Sequence, residues 1–170
     1  SGWMDRSITL TRLENLLNRG GALGLALEKW ERAGLWVITR SDPEYPERLK
    51  RRLRLKSPPV LFGCGNKMLL DRGGITVVGS RDADQRDIAF SENLGDAVAT
   101  QGYSVVSGGA RGVDESTMLG ALRNDGTAIG VVANNLLRTV SSAKYRKFLI
   151  SGDLVLITPF NPEAGFNVGN

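Results

Sequence analysis

Two strand-to-helix junctions carry the residues best suited to chemistry. The segments VVGSRDAD at 77–84 and VVSGGARGVDES at 105–116 each run from an apolar stretch into glycine and serine, with an arginine before the next helix. Glycine lets backbone N–H groups approach a ligand closely, and a helix N-terminus adds about half a positive charge. Arginine grips phosphate through two parallel hydrogen bonds. The pattern therefore predicts an anion site, with phosphate as the natural ligand.

Other interpretations of these turns remain open. Glycines also follow strands wherever a helix packs closely on a sheet, so one such turn is equally compatible with a structural role. Neither turn fits the dinucleotide-binding pattern G-x-G-x-x-G, and the Walker pattern is absent. NAD and ATP are therefore disfavoured as ligands. Asp114 and Glu115 are expected mainly to favour the helix dipole rather than to act in catalysis. No cofactor is predicted.

The composition excludes several classes of chemistry. The 170 residues contain no histidine and a single cysteine, Cys64, so this sequence offers no histidine-assisted nucleophile, internal disulfide or zinc motif. No metal site is predicted. No apolar run approaches the ~20 residues that span a bilayer. These features predict a protein of the reducing cytoplasm, without membrane contact.

The charge is mildly basic and unevenly placed. Lys and Arg number 22 against 18 Asp and Glu, giving a formal charge of +4. One dense run is KRRLRLK at 50–56, which we interpret first as a solvated helix face. Contacts with a second subunit or with nucleic acid remain alternatives for this run and for the N-terminal helices. A second cluster comprises Lys144, Arg146 and Lys147.

Hydrophobic periodicity defines the elements that must position these residues. Residues 1–34 are predicted to form a helical segment of two short helices joined at Gly20-Gly21, with Thr9 or Thr11 as an N-cap. From residue 35 to 170, Val/Ile/Leu-rich strands alternate with helices, which indicates a Rossmann-like α/β three-layer sandwich with a mostly parallel sheet. The predicted strands are 35–39, 60–63, 75–80, 103–109, 127–133 and 153–160, and the predicted helices of this part are 84–100, 113–124 and 142–150.

Four segments together resemble the DNA-processing protein A (DprA, or Smf) family. They match it in order and spacing, and the similarity runs from about residue 35 to the end. The resemblance implies an extended Rossmann-like fold that binds single-stranded DNA, forms a homodimer and helps load a recombinase during DNA uptake. The segments are YPERL at 45–49, PPVLFGCG at 58–65, ITVVGSR at 75–81 and VVSGGARGVDESTMLGAL at 105–122.

The resemblance also implies a set of DNA-binding residues. Positions matching the family's two phosphate-binding turns are Gly79, Ser80, Arg81, Ser107, Gly108, Ala110, Arg111, Gly112 and Asp114. Gly109, where the family has leucine, joins the second turn. Lys144, Arg146 and Lys147 would follow neighbouring phosphates. Tyr145 and Phe148 would either stack on bases or pack in the core, and the sequence does not choose between these roles.

Departures from the family pattern indicate a divergent member. The family's Ala-His after the second turn is replaced by Ser116-Thr117-Met118, and the chain stops at Gly169-Asn170 before the family's Phe and Arg-Asn. We therefore expect a truncated chain that lacks at least one further strand and helix. The sequence does not distinguish among transformation, recombination and antiviral defence.

We expect a DNA-binding module more than an enzyme. The alternative is a nucleotide sensor or a phosphoribohydrolase-like enzyme of the related Rossmann-like group. Its carboxylate would come from Asp114, Glu115 or Glu163, although the PGGxGTxxE signature of those enzymes is absent.

Overall fold

The protein, seen here as a computed structural model, is described over residues 8–165. In this part of the chain six strands form one sheet, surrounded by eight α-helices and a short 3₁₀ turn at Arg54–Lys56. The strands are β1 (Leu35–Thr39), β2 (Val60–Gly65), β3 (Gly74–Thr76), β4 (Ser104–Ser107), β5 (Ala128–Val131) and β6 (Leu154–Thr158). The helices are α1 (Leu10–Leu17), α2 (Gly20–Arg32), α3 (Glu47–Leu53), α4 (Leu69–Arg72), α5 (Gln85–Thr100), α6 (Val113–Arg123), α7 (Leu136–Val140) and α8 (Ala143–Ser151).

The sheet is mixed, with a parallel half that carries the two glycine turns. Its strand order is β1-β2-β6-β5-β4-β3, and the strands from β3 to β6 are parallel because a helical crossover separates each from the next. β2 runs antiparallel to β6, and β1 runs antiparallel to β2. The predicted Rossmann-like α/β fold with a mostly parallel sheet is confirmed. The parallel strands follow chain order, so strand order does not reverse between β3 and β4.

Alternation along the strands divides the core between the two faces of the sheet. Val105, Leu154 and Leu156 face a large cluster to which α2, α5, α6, α7 and α8 contribute. Ile129, Val155 and Ile157 face the opposite side, where Leu69 and Leu70 of α4 cover them. The second layer is thinner than the first, because the helices that cover it within residues 8–165 are the short α3 and α4.

Several predicted elements end at different residues in the structure, among them the first two helices and β3. The first two helices separate at Asn18-Arg19, and Gly20 and Gly21 are instead the first residues of α2; Thr9 caps α1 by accepting from the Arg12 N–H at 3.2 Å. Strand β3 ends at Thr76 rather than at residue 80. The residues after it turn toward α6, where their polar groups find other partners.

Close packing of α5 against α6 depends on two glycines. A Cβ added at Gly95 would lie 2.1 Å from the carbonyl oxygen of Thr117, and one added at Gly120 would lie 2.2 Å from that of Glu92. Each glycine therefore admits the backbone of the neighbouring helix. This packing holds the N-terminus of α6, and the turn before it, against the parallel strands.

We predict that Gly95→Ala lowers the free energy of unfolding by about 1–3 kcal/mol, because the added methyl forces the two helices apart. Gly24→Ala is the matched control: it also replaces a glycine inside a helix, but nothing lies within 4 Å of the added Cβ. That variant should instead gain about 1 kcal/mol from the higher helix propensity of alanine. Urea unfolding followed by circular dichroism measures both. Equal stabilisation by the two substitutions would contradict the packing argument.

Candidate functional site

The two glycine turns meet at the carboxyl edge of the sheet. β3 and β4 pair in parallel, with Ile75 opposite Val105 and Thr76 opposite Val106, so their C-terminal ends lie side by side. Ligands of open parallel sheets bind at this edge. The structure therefore brings the segments 77–81 and 108–112 together, although about thirty residues separate them in sequence.

A buried carboxylate joins the two turns. Asp114 is 7% exposed, and its Oδ1 accepts from the Gly79 N–H at 3.0 Å while its Oδ2 accepts from the Gly108 N–H at 3.2 Å. These two N–H groups are ones that the sequence assigned to DNA phosphates. Because a carboxylate already occupies them, and because like charges repel, the geometry favours an indirect role for Gly79, Gly108 and Asp114 in the predicted phosphate site.

Further contacts lock the turns to each other. The Ser107 hydroxyl donates to the Val77 carbonyl at 2.7 Å, and the Val113 N–H donates to the Ser80 carbonyl at 3.1 Å. Gly112 has φ +94°, and a Cβ there would lie 2.2 Å from the Ser80 oxygen, so only glycine fits. The Ser80 hydroxyl accepts from the N–H of Asp82 at 3.0 Å. Both predicted serines therefore make hydrogen bonds within the protein.

Consecutive backbone N–H groups beside these hydrogen bonds have no acceptor in the described part of the protein. Within residues 8–165, the N–H groups of residues 109–112 donate to no other protein atom. Arg81 and Arg111 line the same cleft of about 230 Å³, together with Gly108, Ala110 and Asn134. Consecutive unsatisfied N–H groups and two guanidinium groups form an environment suited to an anion.

A second, larger cleft adjoins the first and shares Arg111 with it. It has a volume of about 400 Å³ and contains the charged side chains of Arg111, Glu115, Arg138 and Lys144. Asn134 also lines both clefts. Asn134 and Arg138 were not among the predicted site residues; their signal was their position in the segment that follows β5, the third parallel strand, with Asn134 in the loop and Arg138 in α7.

Tyr145 supports this second cleft from the core. It is 2% exposed, and its hydroxyl donates to Glu115 Oε1 at 3.2 Å. Burial, reinforced by the Glu115 charge, raises the pKa of Tyr145. Phe148 is also buried in the main cluster. Of the two roles that the sequence left open for Tyr145 and Phe148, the structure favours core packing over stacking on DNA bases, because both rings are buried.

The predicted basic cluster of α8 is divided between two sides of the helix. Lys144 lines the second cleft, where its Nζ lies 2.6 Å from Glu115 Oε1. Arg146 lines a separate cleft beside Gly34 and Cys64. Lys147 places its Nζ 4.4 Å from the Phe148 ring centroid. Residues two apart on a helix point about 200° apart, so these cations do not form a continuous track.

The basic run at 50–56 lies elsewhere on the surface. Residues 51–56 are exposed, as expected for a solvated helical face. Arg52 and Arg48 border a cleft of about 270 Å³ against the second face of the sheet, near Val106 and Val131. That cleft shares no residue with the two clefts at the glycine turns.

The carboxylates considered for catalysis are all hydrogen-bonded. Asp114 joins the two turns, and Glu115 accepts from Lys144 and Tyr145. Glu163 accepts from Lys29 Nζ at 2.5 Å and from Trp30 Nε1 at 3.0 Å, and these bonds lower its pKa. Only Glu115 lines a cleft at the turns.

The structure contains no group of acidic or cysteine side chains suited to a metal over residues 8–165. Burial raises the pKa of the Cys64 thiol, which disfavours its nucleophilic thiolate. None of the helices in the described part is long and apolar enough to cross a membrane.

The sheet, its crossovers and its paired glycine turns define a Rossmann-like α/β protein. Residues 36–169 match the sequence profile of the family described as DNA recombination-mediator protein A. The match covers most of the chain, and the protein therefore belongs to this family, as its resemblance to DprA and Smf indicated.

Two characterised relatives support this assignment. DNA processing protein DprA of Bacillus subtilis is 31% identical over 109 residues, which cover 63% of this chain and 36% of that protein. Protein Smf of Synechocystis is 29% identical over 118 residues, covering 65% of this chain and 28% of that protein. The chain thus matches only about a third of the length of these relatives.

Solved structures show the same fold. DprA of Streptococcus pneumoniae superposes with a TM-score of 0.63 at 23% identity, over 79% of this chain and 47% of that one. DprA of Helicobacter pylori, whose structure is described as showing a single-stranded DNA binding mode, superposes with a TM-score of 0.61 at 19% identity. The latter match covers 81% of this chain and 61% of that one.

We predict that Asp114→Asn lowers the free energy of unfolding by about 1–3 kcal/mol, because an amide can accept only one of the two backbone bonds and sets its NH₂ group against the other donor. Asp125→Asn is the matched control, since Asp125 is exposed and has φ 57°, a conformation that asparagine tolerates well. Chemical denaturation measures both variants. An unchanged midpoint for Asp114→Asn would contradict the role of this carboxylate in joining the turns.

Proposed function

We propose that this protein binds single-stranded DNA in DNA processing and recombination, holding backbone phosphates at the carboxyl ends of β3 and β4. The observation that carries the proposal is the row of N–H groups at residues 109–112, which have no protein acceptor within the described chain and lie beside Arg81 and Arg111. One phosphate would receive backbone hydrogen bonds and a guanidinium fork together.

The proposed contact set differs from the one that the family resemblance implied. Arg81, Arg111 and the backbone of Gly109 and Ala110 would meet phosphate, and Lys144 would contribute from the neighbouring cleft. The remaining turn residues would act indirectly, by fixing where these donors lie. Those supporting residues are Gly79, Ser80, Ser107, Gly108 and Asp114.

Membership of a recombination-mediator family supports the broader biological role. The single-stranded DNA binding described for the Helicobacter pylori neighbour supports the choice of ligand. From the resemblance we extend the proposal to a cytoplasmic homodimer that passes DNA to a recombinase, with natural transformation as one setting. This chain matches only 36% of the length of the Bacillus subtilis protein. The homodimer and the transfer of DNA to a recombinase are therefore proposed for the assembly that contains this chain.

We predict that Arg81→Ala and Arg111→Ala each weaken binding of fluorescein-labelled oligo-dT by about 1–3 kcal/mol, because each removes a charge-assisted phosphate contact. Binding should fall steeply with added salt, and each variant should lower the slope of log K against log salt by about 1. Fluorescence anisotropy over a salt series measures both quantities.

Arg123→Ala is the matched control for these variants. Its guanidinium lies at the C-terminal end of α6, paired with Glu92 at 2.7 Å and remote from the turns, yet its removal lowers the net charge equally. Its affinity for oligo-dT should stay close to that of the unmodified protein. If folded Arg111→Ala bound oligo-dT as tightly as Arg123→Ala, the turns would not be the DNA site.

A further inference from the structure

One acidic side chain stands out in the larger cleft. Glu115 lines it among Arg111, Arg138 and Lys144, and its side chain is 23% exposed. Its Oε1 accepts from Lys144 Nζ at 2.6 Å and from the Tyr145 hydroxyl at 3.2 Å, whereas its Oε2 has no hydrogen-bond partner among residues 8–165. Two lone pairs of a carboxylate therefore remain available beside a site that otherwise attracts anions.

Phosphate does not account for this arrangement. Glu115 pairs with Lys144 and so cancels positive charge that a purely electrostatic DNA site would use, unless its remaining oxygen meets a hydrogen-bond donor of the ligand. In DNA such donors lie on the base edges. The volume of about 400 Å³ falls within the range of about 300–1,000 Å³ that is usual for small-ligand sites, which leaves room for an unstacked base.

The side chain of Arg138 limits which base fits the cleft. The Arg138 guanidinium makes no hydrogen bond or ion pair with another described residue, and only its backbone N–H is used, donating to Asn135 at 2.8 Å. Arginine reads the O6 and N7 acceptors of guanine, and a carboxylate accepts from base N–H groups. Guanine alone among the four bases offers both that acceptor pair and the adjacent N1–H and N2–H donors.

We propose that this cleft selects a guanine base, with the free Oε2 of Glu115 accepting from N1–H and N2–H and Arg138 donating to O6 and N7. The inference rests on the proposed function, because the phosphates of the same strand would be held at the neighbouring turns. Guanine could arrive within a DNA strand or as a free nucleotide. Glu115 and Arg138 are the specificity-determining residues in either case.

The test compares oligo-dT with the same strand carrying one central dG, by anisotropy competition. The dG strand should bind about tenfold more tightly to the unmodified protein, as expected for a matched bidentate contact. Inosine at the same position lacks the N2 amine, and 7-deazaguanine lacks N7, so each should lose part of this preference. Equal affinity for the dG, dA, dC and all-dT strands would overturn the inference.

Two variants then show which side chain recognises which edge of the guanine base. Glu115→Gln should abolish the discrimination between guanine and inosine while tightening binding of the all-dT strand, because a negative charge is lost. Arg138→Ala should abolish the discrimination between guanine and 7-deazaguanine. Glu92→Gln, on α5, is the matched control and should retain both preferences. If Glu115→Gln still distinguished guanine from inosine, Glu115 would not read the base.

Thermal shift with dGMP, dAMP and dTMP separates this inference from the proposed function. Oligo-dT binding without any guanine preference, in strand or nucleotide, would sustain the DNA function and refute the guanine site. If dGMP alone raised the melting temperature and oligo-dT did not bind, the guanine site would be sustained and the DNA function refuted. The ligand would then be a free nucleotide. A preference for guanine in both assays would support both proposals.

Discussion

The pairing of one buried carboxylate with two backbone N–H groups organises the functional edge of this protein. Asp114 belongs to the first turn of α6, yet it holds the residue before Ser80 and the residue after Ser107 at once. A bond from a charged acceptor to a main-chain donor is stronger than a neutral one, and burial shields it from competing water. The relative position of the two turns therefore depends on α6 being correctly seated against the sheet.

The position of α6 depends in turn on close contacts between backbones. Gly95 and Gly120 let α5 and α6 approach without intervening side chains, while Gly112 lets the second turn reach the carbonyl of Ser80. These glycines act through the absence of a Cβ rather than through flexibility. The result is a scaffold in which the N–H groups of Gly79, Gly108 and Val113 find acceptors within the protein, while those of residues 109–112 find none among residues 8–165.

Much of the fold was predictable because it depends on local pattern. The apolar runs of β4, β5 and β6 are mostly buried, and β6 is buried on both faces, so their composition marks them as parallel strands. The end of β3 was not predictable in the same way. Val77 and Val78 continue the apolar run of β3, but the direction of the chain there is decided by partners on α6 and β4.

The location of the site could be predicted from the sequence, but the roles of its individual residues could be predicted less well. Glycine, serine and arginine at a strand end indicate an anion site, and the structure gathers both turns at one edge. Whether Asp114 meets a ligand or the protein's own backbone depends on a contact across 35 residues, which spacing does not reveal. Tyr145 and Phe148 share a helical face by their spacing, but only the packing of α8 against the sheet shows that this face points inward.

The early end of β3 also affects how the protein behaves in a crowded solution. β3 is a terminal strand of the described sheet and spans only Gly74–Thr76, since the chain is then drawn toward α6. Exposed strand edges serve as templates on which other chains add and aggregate, and short edges offer them few hydrogen bonds. The contacts that shape the anion site thus also protect the molecule from edge-to-edge self-association.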